Sequence, residues 1–294
     1  MTRAVVLDGY GPPEKLRLTD IEVPAPGPGQ IRILPRFSGV GPTDLAIRAG
    51  HLSAAFPAAP GTVLGFEAAG VVESAGPGVD DVRDGDEVAV FLPRLGGYAG
   101  LVVADHWVPK PPAVDWADAA AAPASGEAAV RVLDQLGVSD GETLLILGAA
   151  GSVGTIATQL AVERGAKVIA AVRPADFAAM EQFGATPVDY TSTLAQPVDA
   201  VLDASGRSDL RTAVRLAGGP ERVITLSDPR GPQLGVALSE VVPAGVRPAL
   251  QLVMDRLATG RLTLQPHSIV PLAEAAAVHT RLESGAQRGK VLLA

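Results

Sequence analysis

Residues 144–157 read LLILGAAGSVGTIA, and this stretch decides the fold. A short apolar run breaks into glycine and alanine and then resumes as an apolar, helix-forming stretch, which is typical of a buried strand followed by a helix. Three glycines, Gly148, Gly151 and Gly154, stand in the turn, where one would be enough to reverse the chain. Their spacing indicates that something large and negatively charged comes close to the backbone.

The segments that follow alternate between strand and helix patterns. ETLLIL, KVIAAV, VDAVLDAS and RVITLS predict strands, and SVGTIATQLAVERG, PADFAAMEQFG and SDLRTAVRLAG predict helices. This rhythm is typical of an α/β fold with a doubly wound parallel sheet, in which a strand, a glycine turn and a helix N-terminus bind a pyrophosphate. The strict G-x-G-x-x-G pattern is not met, because Ala149 holds its first position. The alternative is that the glycines serve helix packing alone.

The first part of the chain has a different pattern. RAVVLDGY, LRLTDIEVP, QIRILPRFSGV, AAGVVESAG and DEVAVFL are short β-branched runs bounded by turn residues, and they predict strands. Prolines in VPKPPAVDWADAAAA end this part, and the last residues again predict a strand, a helix and a strand. We therefore predict a β-rich domain over residues 1–120, completed by 263–294, and a dinucleotide-binding domain over 121–262.

Composition excludes several classes of protein. The 294 residues are 47% hydrophobic and 19% charged, which is typical of a globular chain. A net charge of −8 without any basic block argues against a nucleic-acid partner. Without a secretion signal or a long apolar run, we expect a cytoplasmic protein with no membrane partner. The absence of cysteine excludes disulfides, thiolate nucleophiles and cysteine-based zinc sites.

The strand after the glycine turn indicates which dinucleotide binds. NAD-binding units usually carry an acidic residue at its end, whereas KVIAAVRPADF ends in Val172 and Arg173. A guanidinium can bind the extra 2′-phosphate of NADPH through charge-assisted hydrogen bonds, so we predict NADPH rather than NADH. The alternative is an exposed Arg173, with Asp176 binding the ribose of NAD.

Ordered motifs along nearly the whole chain resemble the medium-chain dehydrogenase/reductase superfamily, in its zinc-independent quinone oxidoreductase-like branch. They include PAPGPGQIRI, GVGPTDLAIRAG, PGTVLGFEAAGVVESAGPGV, GAAGSVGTIATQLAVERGAKVIAAV and PLAEAAAVHTRLESGAQRGKVLL. The resemblance implies a GroES-like catalytic domain from both chain ends, an inserted Rossmann domain, a cleft where a small-molecule substrate meets nicotinamide, and a homodimer paired through the Rossmann domains.

The resemblance and the strand ends together nominate cofactor-binding residues. By resemblance, Tyr190 contacts the 2′-phosphate side of NADPH and Ser125 lies near the nicotinamide. The ends of the fourth and fifth strands are expected to flank the nicotinamide ribose and ring. The full set is Ser125, Gly148, Gly151, Ser152, Val153, Gly154, Arg173, Tyr190, Ala204, Ser205, Leu226 and Ser227.

The zinc-dependent branch of this superfamily carries a cysteine and a histidine where this chain has Gly41 and Phe66, so that only Glu67 remains. Catalytic zinc needs about three protein ligands, and we therefore expect no metal. Glu67 is expected to be a packed remnant, paired with an arginine such as Arg48.

Loss of the metal restricts the chemistry. Reducing a ketone needs help for the developing alkoxide, whereas a quinone or a conjugated enone is already electrophilic. The candidate catalytic residues are His51, Asp44 and Thr43. His51 could donate a proton, or could be an exposed loop residue, and Asp44 could instead bond local backbone. Leu52 stands where enoyl reductases of the superfamily have a tyrosine. The alternatives are a non-catalytic NADPH-binding or redox-sensing protein and a metal-free alcohol dehydrogenase.

Overall fold

The structure is a computed structural model that describes residues 1–192, 194 and 196–294. Its strands are β1 (Thr2–Leu7), β2 (Leu16–Ile21), β3 (Ile31–Val40), β4 (Thr62–Val63), β5 (Glu67–Ala75), β6 (Glu87–Phe91), β7 (Val102–Ala104), β8 (His106–Pro109), β9 (Thr143–Leu147), β10 (Lys167–Val172), β11 (Thr186–Asp189), β12 (Ala200–Asp203), β13 (Val223–Thr225), β14 (Ala237–Leu238), β15 (His267–Val270) and β16 (Lys290–Leu293). Its α-helices are α1 (Pro42–Ala49), α2 (Trp116–Ala121), α3 (Pro123–Leu136), α4 (Ser152–Glu163), α5 (Phe177–Gln182), α6 (Leu210–Ala217), α7 (Pro243–Ala258) and α8 (Ala275–Glu283).

The chain divides into two compact units. Unit 1 comprises Met1–Ala124, Leu250–Thr259 and Pro266–Ala294, and unit 2 comprises Ser125–Ala249 and Gly260–Gln265. The domain boundaries predicted at residues 120 and 262 stay a prediction.

Unit 1 is built on two sheets whose strand pairs are antiparallel, except that β15 and β16 pair parallel. The larger sheet runs in the order β15-β16-β3-β5-β6-β8, with β7 also paired to β3, and the smaller runs β2-β1-β4. In β3, Ile31 and Ile33 are fully buried while Arg32 and Leu34 are not, which is the alternation of a strand with one face in the core. Strand β16 pairs antiparallel with β3, so Lys290–Leu293 belong to the larger sheet of unit 1.

Unit 2 is built on a parallel sheet in the order β11-β10-β9-β12-β13-β14. Strand β9 is buried along Leu144–Ile146, as expected where helices cover both faces. Helix α4 packs on β9 and β10, and α6 packs on β12 and β13. Because such crossovers are right-handed and these two run in opposite directions, they cover opposite faces of the sheet. The predicted fold class, a β-rich domain plus a doubly wound parallel sheet, is confirmed.

Candidate active site

The glycine turn joins β9 to α4 as the sequence predicts. Gly148 has a φ of +82°, the left-handed region that favours glycine, and its carbonyl accepts from the Gly151 N–H at 3.0 Å. A Cβ on Gly154 would overlap the Gly148 carbonyl oxygen and lie 2.6 Å from Ala149 Cα. Gly154 is therefore required for the close packing of helix on strand.

The N-terminus of α4 fits an anionic group. Gly151 is the N-cap residue, and within the described part of the chain no side chain caps the helix. A Cβ on Gly151 would meet the Gly148 carbonyl oxygen at 3.2 Å and no other described atom within 4 Å. The first N–H groups of a helix, here those of Ser152 and Val153, lack intrahelical partners and carry the positive dipole end. The turn is thus an open cradle that a diphosphate would fill.

Gln265 holds this turn, and sequence reasoning missed it. The Ser152 hydroxyl donates to Gln265 Oε1 at 3.0 Å, and Gln265 Nε2 donates to the Ala150 carbonyl oxygen. Gln265 lies 113 residues beyond Ser152, so no local pattern links the two.

The strand ends beside the turn bring together several predicted cofactor residues. Strand β12 neighbours β9, and a Cβ on Gly148 would lie 3.0 Å from Ser205 Cβ. Strand β13 follows β12 in the sheet, and a Cβ on Gly206 would overlap the Ser227 hydroxyl. Ala204 and Leu226 directly precede Ser205 and Ser227. These residues surround the point where the strand order reverses, which is where α/β sheets bind ligands.

Arg173 and Tyr190 lie at the ends of adjacent strands. Tyr190 donates its N–H to the Val172 carbonyl at 3.0 Å, and the residue is 63% exposed. Arg173 Nε forms an ion pair with Asp176 Oδ2 at 3.3 Å. The guanidinium that would bind a 2′-phosphate and the carboxylate that would bind a free ribose therefore lie side by side.

Ser125, the remaining predicted cofactor residue, lies in α3 and is 6% exposed. It directly follows Ala124, whose N–H donates to Glu67 Oε2 at 2.8 Å.

The predicted catalytic residues surround α1. Thr43 is exposed in its first turn, and His51 is exposed just after its end, with its N–H donating to the Ala46 carbonyl at 2.9 Å. Asp44 is 1% exposed, and its carboxylate accepts from the N–H groups of Gly41 at 2.8 Å and Gly65 at 2.9 Å. Burial raises the pKa of Asp44 to about 6, against the opposing effect of these two hydrogen bonds. Asp44 thus fixes α1, and Thr43 and His51 face outward.

The expected pairing of Glu67 with Arg48 is wrong. Glu67 is 1% exposed and forms an ion pair with Lys290, which directly precedes the part of β16 paired to β3. A Cβ on Gly39 of β3 would lie 2.7 Å from Glu67 Cγ, so this glycine makes room for the carboxylate. Burial raises the pKa of Glu67, and Lys290 opposes that shift.

Arg48 belongs to a different buried cluster, which sequence reasoning missed. Its guanidinium binds Glu283 and the Gly11 carbonyl oxygen, and its Nε donates to His279 Nδ1 at 3.3 Å. His279 Nε2 faces the Tyr98 hydroxyl at 3.2 Å. Burial and then the charge of Arg48 lower the pKa of His279 to about 3, so this imidazole is neutral.

Phe66, at the position of the zinc-ligating histidine, contributes to an apolar surface of unit 1. Its ring packs edge-on against Phe56 with centroids 5.5 Å apart. Leu52 and Leu95 are, like these two rings, partly exposed and packed on the same core. Leu95 has a φ of +70°, an uncommon conformation outside glycine that is typical of constrained functional loops. We call Leu52, Phe56, Phe66 and Leu95 the apolar surface.

Neither a metal cluster nor a membrane span is found in the described residues. Over 1–192, 194 and 196–294, no three His, Cys, Asp or Glu residues are grouped so that they could hold a metal ion. In the same part of the chain, no helix has the length and hydropathy to cross a membrane.

Comparison with known proteins defines the class as an alcohol-dehydrogenase-like oxidoreductase. The family model for the alcohol dehydrogenase GroES-like domain matches residues 27–109, and that for a zinc-binding dehydrogenase matches 164–293. Quinone oxidoreductase of Rattus norvegicus is 32% identical over 242 residues, covering 77% of this chain and 73% of that protein. The chloroplastic NADPH-dependent alkenal/one oxidoreductase of Arabidopsis thaliana is 29% identical over 318 residues, covering 99% and 79%.

A solved structure agrees over the full length. Quinone oxidoreductase of Pseudomonas syringae pv. Tomato DC3000 superposes with a TM-score of 0.86 at 26% identity, covering 100% of this chain and 99% of that one. The chain belongs to the medium-chain dehydrogenase/reductase superfamily, in its quinone oxidoreductase-like branch. It is an oxidoreductase with a GroES-like domain and a Rossmann sheet, and the predicted resemblance is confirmed.

Proposed function

We propose that this chain is an NADPH-dependent, zinc-independent reductase that transfers a hydride to a quinone or an α,β-unsaturated carbonyl compound. The observation that carries the proposal is the open glycine turn at the strand-order reversal of unit 2, with Ser205 beside it. Such a turn binds the diphosphate of a dinucleotide. When bound, NADPH would supply the hydride.

Each cofactor residue has a proposed task in this reading. The N–H groups of Ser152 and Val153 bind the diphosphate, while Gly151 lets it approach the backbone. Arg173 and Tyr190 bind the 2′-phosphate, and the guanidinium exchanges its bond to Asp176 for a stronger doubly charged partner. The NADPH dependence of the Arabidopsis thaliana relative supports this choice of cofactor.

Zinc independence rests on the residues that stand at the ligand positions. Gly41 has no side chain, Phe66 has no donor atom, and Glu67 is engaged by Lys290 and the Ala124 N–H. These residues do not fit a catalytic zinc ion, which needs about three ligands. An electrophilic acceptor such as a quinone or an enone is the substrate that needs least polarisation by the protein.

The exposed residues of unit 1 suit such an acceptor. The apolar surface offers aromatic and aliphatic contact to a planar, weakly polar molecule. We propose that His51 delivers the proton that completes reduction, that Thr43 binds the acceptor oxygen, and that Asp44 acts as a positioning residue through Gly41 and Gly65. Quinone and alkenal/one reduction by the named relatives supports this substrate class.

Oxidation of NADPH, followed at 340 nm in the presence of a chelator, tests the function. We expect a panel of quinones and enones to accelerate this oxidation. His51→Gln should lower kcat by a larger factor than it changes the KM for NADPH. If NADPH binds but no acceptor accelerates its oxidation, the non-catalytic alternative replaces the reductase. Alcohol-dependent reduction of NADP⁺ without quinone or enone reduction would instead identify a metal-free alcohol dehydrogenase.

We also propose a homodimer paired through unit 2. Strand β14 is the last strand in the order of the sheet. Leu238 in this strand is 39% exposed, and Val241 and Val242, which follow it, are 38% and 50% exposed. An edge strand with apolar neighbours is a suitable pairing surface. Light scattering should give twice the 29.9 kDa chain mass, and Leu238→Asp should reduce it to one chain mass. A single-chain mass for the unaltered protein would contradict the proposal.

A further inference from the structure

The loop after β12 is organised by one buried carboxylate. Asp203 is fully buried, and its Oδ1 accepts from the N–H groups of Ser205 and Gly206, each at 3.1 Å. The hydroxyls of Ser205 and Ser208 lie 2.8 Å from the same oxygen. The other oxygen, Oδ2, accepts from the Thr225 hydroxyl at 2.8 Å. Asp203 therefore fixes its own loop and reaches across to the next strand.

The loop after β13 is fixed by a second buried carboxylate. The Thr225 hydroxyl accepts from the Asp228 N–H at 3.2 Å. Asp228 is 1% exposed, and its carboxylate binds Arg230 through Nε at 2.9 Å and Nη2 at 2.6 Å. Arg230 Nη2 also donates to the Ser208 carbonyl at 3.1 Å, in the first loop. The chain of bonds thus closes on itself, and we call Asp203, Thr225, Asp228, Arg230 and Ser208 the carboxylate ring.

The carboxylate ring lies behind residues that face the glycine turn. Asp203 binds Ser205, and Ser205 lies against the glycine turn: a Cβ on Gly148 would lie 3.0 Å from Ser205 Cβ. Gly206 packs against Ser227, which follows Thr225 by two residues. The two loops are therefore joined to each other and to the turn at the carboxyl ends of β9, β12 and β13, where α/β sheets bind their ligands.

We propose that the carboxylate ring is a positioning device that holds Ser205 and Ser227 in place for NADPH, so that Thr225 and Arg230 set cofactor affinity without touching the cofactor. This inference rests on the proposed function of unit 2. A ring that only stabilised the fold would change the free energy of unfolding and leave the affinity for NADPH unchanged in the folded protein.

A pair of substitutions at Thr225 separates these roles. Thr225→Val keeps the shape and removes the hydroxyl that joins Asp203 to Asp228, whereas Thr225→Ser keeps the hydroxyl. We expect Thr225→Val to raise the Kd for NADPH about fivefold or more, because the variant loses two buried hydrogen bonds, one to Asp203 and one to the Asp228 N–H. Thr225→Ser should stay within about twofold of the unaltered protein. The KM for the acceptor and kcat should be the same in all three proteins.

Arg230 provides a second variant that leaves the core intact, since its side chain is 62% exposed. Arg230→Ala opens the ring at the Ser208 carbonyl, and we expect a two- to threefold rise in the Kd for NADPH, a small effect typical of one solvent-exposed bond. Arg17→Ala is the matched control, because Arg17 is 67% exposed and pairs with Asp8 at 2.9 Å in unit 1. The control should leave the Kd unchanged.

The outcomes separate this inference from the proposed function. If the unaltered protein binds NADPH and both Thr225→Val and Arg230→Ala bind it equally well, the positioning role is wrong and the proposed function stands. If Thr225→Val does not fold, the Kd values of Arg230→Ala and Arg17→Ala for NADPH are compared instead. Equal values would show that the positioning role is wrong, and a higher value for Arg230→Ala would support it. If the unaltered protein binds no NADPH, the proposed function fails and this inference with it.

Discussion

Gly151 and Gly154 stand three residues apart in one turn, and the structure predicts different consequences for adding a methyl group to each. Gly151 has a φ of −77° and a ψ of 169°, which alanine adopts freely, and its Cβ would meet the Gly148 carbonyl oxygen at 3.2 Å. Alanine is a poorer N-cap than glycine, so Gly151→Ala should cost at most about 1 kcal/mol of stability. The new methyl group would instead occupy the cradle.

Affinity for NADPH should therefore fall in Gly151→Ala while the fold persists. A displaced diphosphate loses at least one charge-assisted hydrogen bond, worth about 1.5–3 kcal/mol, so the Kd should rise about tenfold or more. Titration of NADPH fluorescence measures the Kd, and urea unfolding measures stability.

Gly154→Ala should mainly lower the stability of the fold, whereas Gly151→Ala should mainly lower the affinity for NADPH. Its Cβ would lie 2.6 Å from Ala149 Cα and 2.8 Å from Ala149 C, and these backbone atoms cannot move aside separately from β9. Overpacking of this kind costs about 1–3 kcal/mol, and the better helix propensity of alanine returns at most about 1 kcal/mol. Loss of stability should dominate here. If Gly151→Ala binds NADPH as tightly as the unaltered protein, no anion approaches this turn and the reasoning is refuted.

Three further predictions concern the phosphate pocket, a buried imidazole and the apolar surface. Arg173→Ala should raise the Kd for NADPH about tenfold or more and leave that for NADH within about twofold, as loss of a charge-assisted bond to the 2′-phosphate requires. His279 has a folded-state pKa of about 3, below its ordinary value, so it removes stability as pH falls from about 6.5 towards 3, by about 2 kcal/mol at pH 5. His279→Gln lacks this proton linkage. When the pH is lowered from 7.5 to 5, the unaltered protein should therefore lose about 2 kcal/mol more of its free energy of unfolding than His279→Gln does, as measured by urea titration. For straight-chain vinyl ketones of increasing length, kcat/KM should rise about two- to fourfold per methylene, and Phe66→Ala should flatten this slope.

Each of these predictions has a control and an outcome that would contradict it. Equal losses of affinity for NADPH and NADH in Arg173→Ala would show that Arg173 does not bind the 2′-phosphate. Asp44 titrates with the opposite sign, since its raised pKa of about 6 adds stability as pH falls from about 6 to 3.8, but it does so in both proteins and cancels. Parallel pH curves would show that the fold does not lower the pKa of His279. Leu34→Ala, at a 51% exposed residue of β3, is the control for Phe66→Ala. If Phe66→Ala leaves the rise of kcat/KM with ketone length unchanged, the apolar surface does not bind the acceptor.

Local patterns predicted much of the fold. The apolar run, the three glycines and the strand–helix rhythm predicted β9, α4 and the parallel sheet, because burial and backbone conformation leave periodic marks in neighbouring residues. Strand β16 pairs with β3 of unit 1, while the predicted completion of the first domain by residues 263–294 stays a prediction. No pattern predicted helix α7, which begins at Pro243 and contains Pro248.

The polar contacts of the site could not be predicted in the same way. Glu67 and Lys290 lie on strands brought together by the sheet, and no spacing in the sequence distinguishes Lys290 from Arg48 as the partner. Gln265 reaches Ser152 across 113 residues, and Asp203 reaches Thr225 across 22. Such pairings depend on the tertiary arrangement, since carboxylates and amides carry no periodic signal. The strand-end residues were predictable because the topology alone places them beside the turn.

Calorimetric titration of the unaltered protein with NADPH and, separately, with NADH tests the central claim most directly. We predict binding of one NADPH per chain, with a Kd at least about tenfold below that for NADH, as one charge-assisted contact to the extra phosphate requires. Uptake of neither dinucleotide by the folded protein would contradict the account.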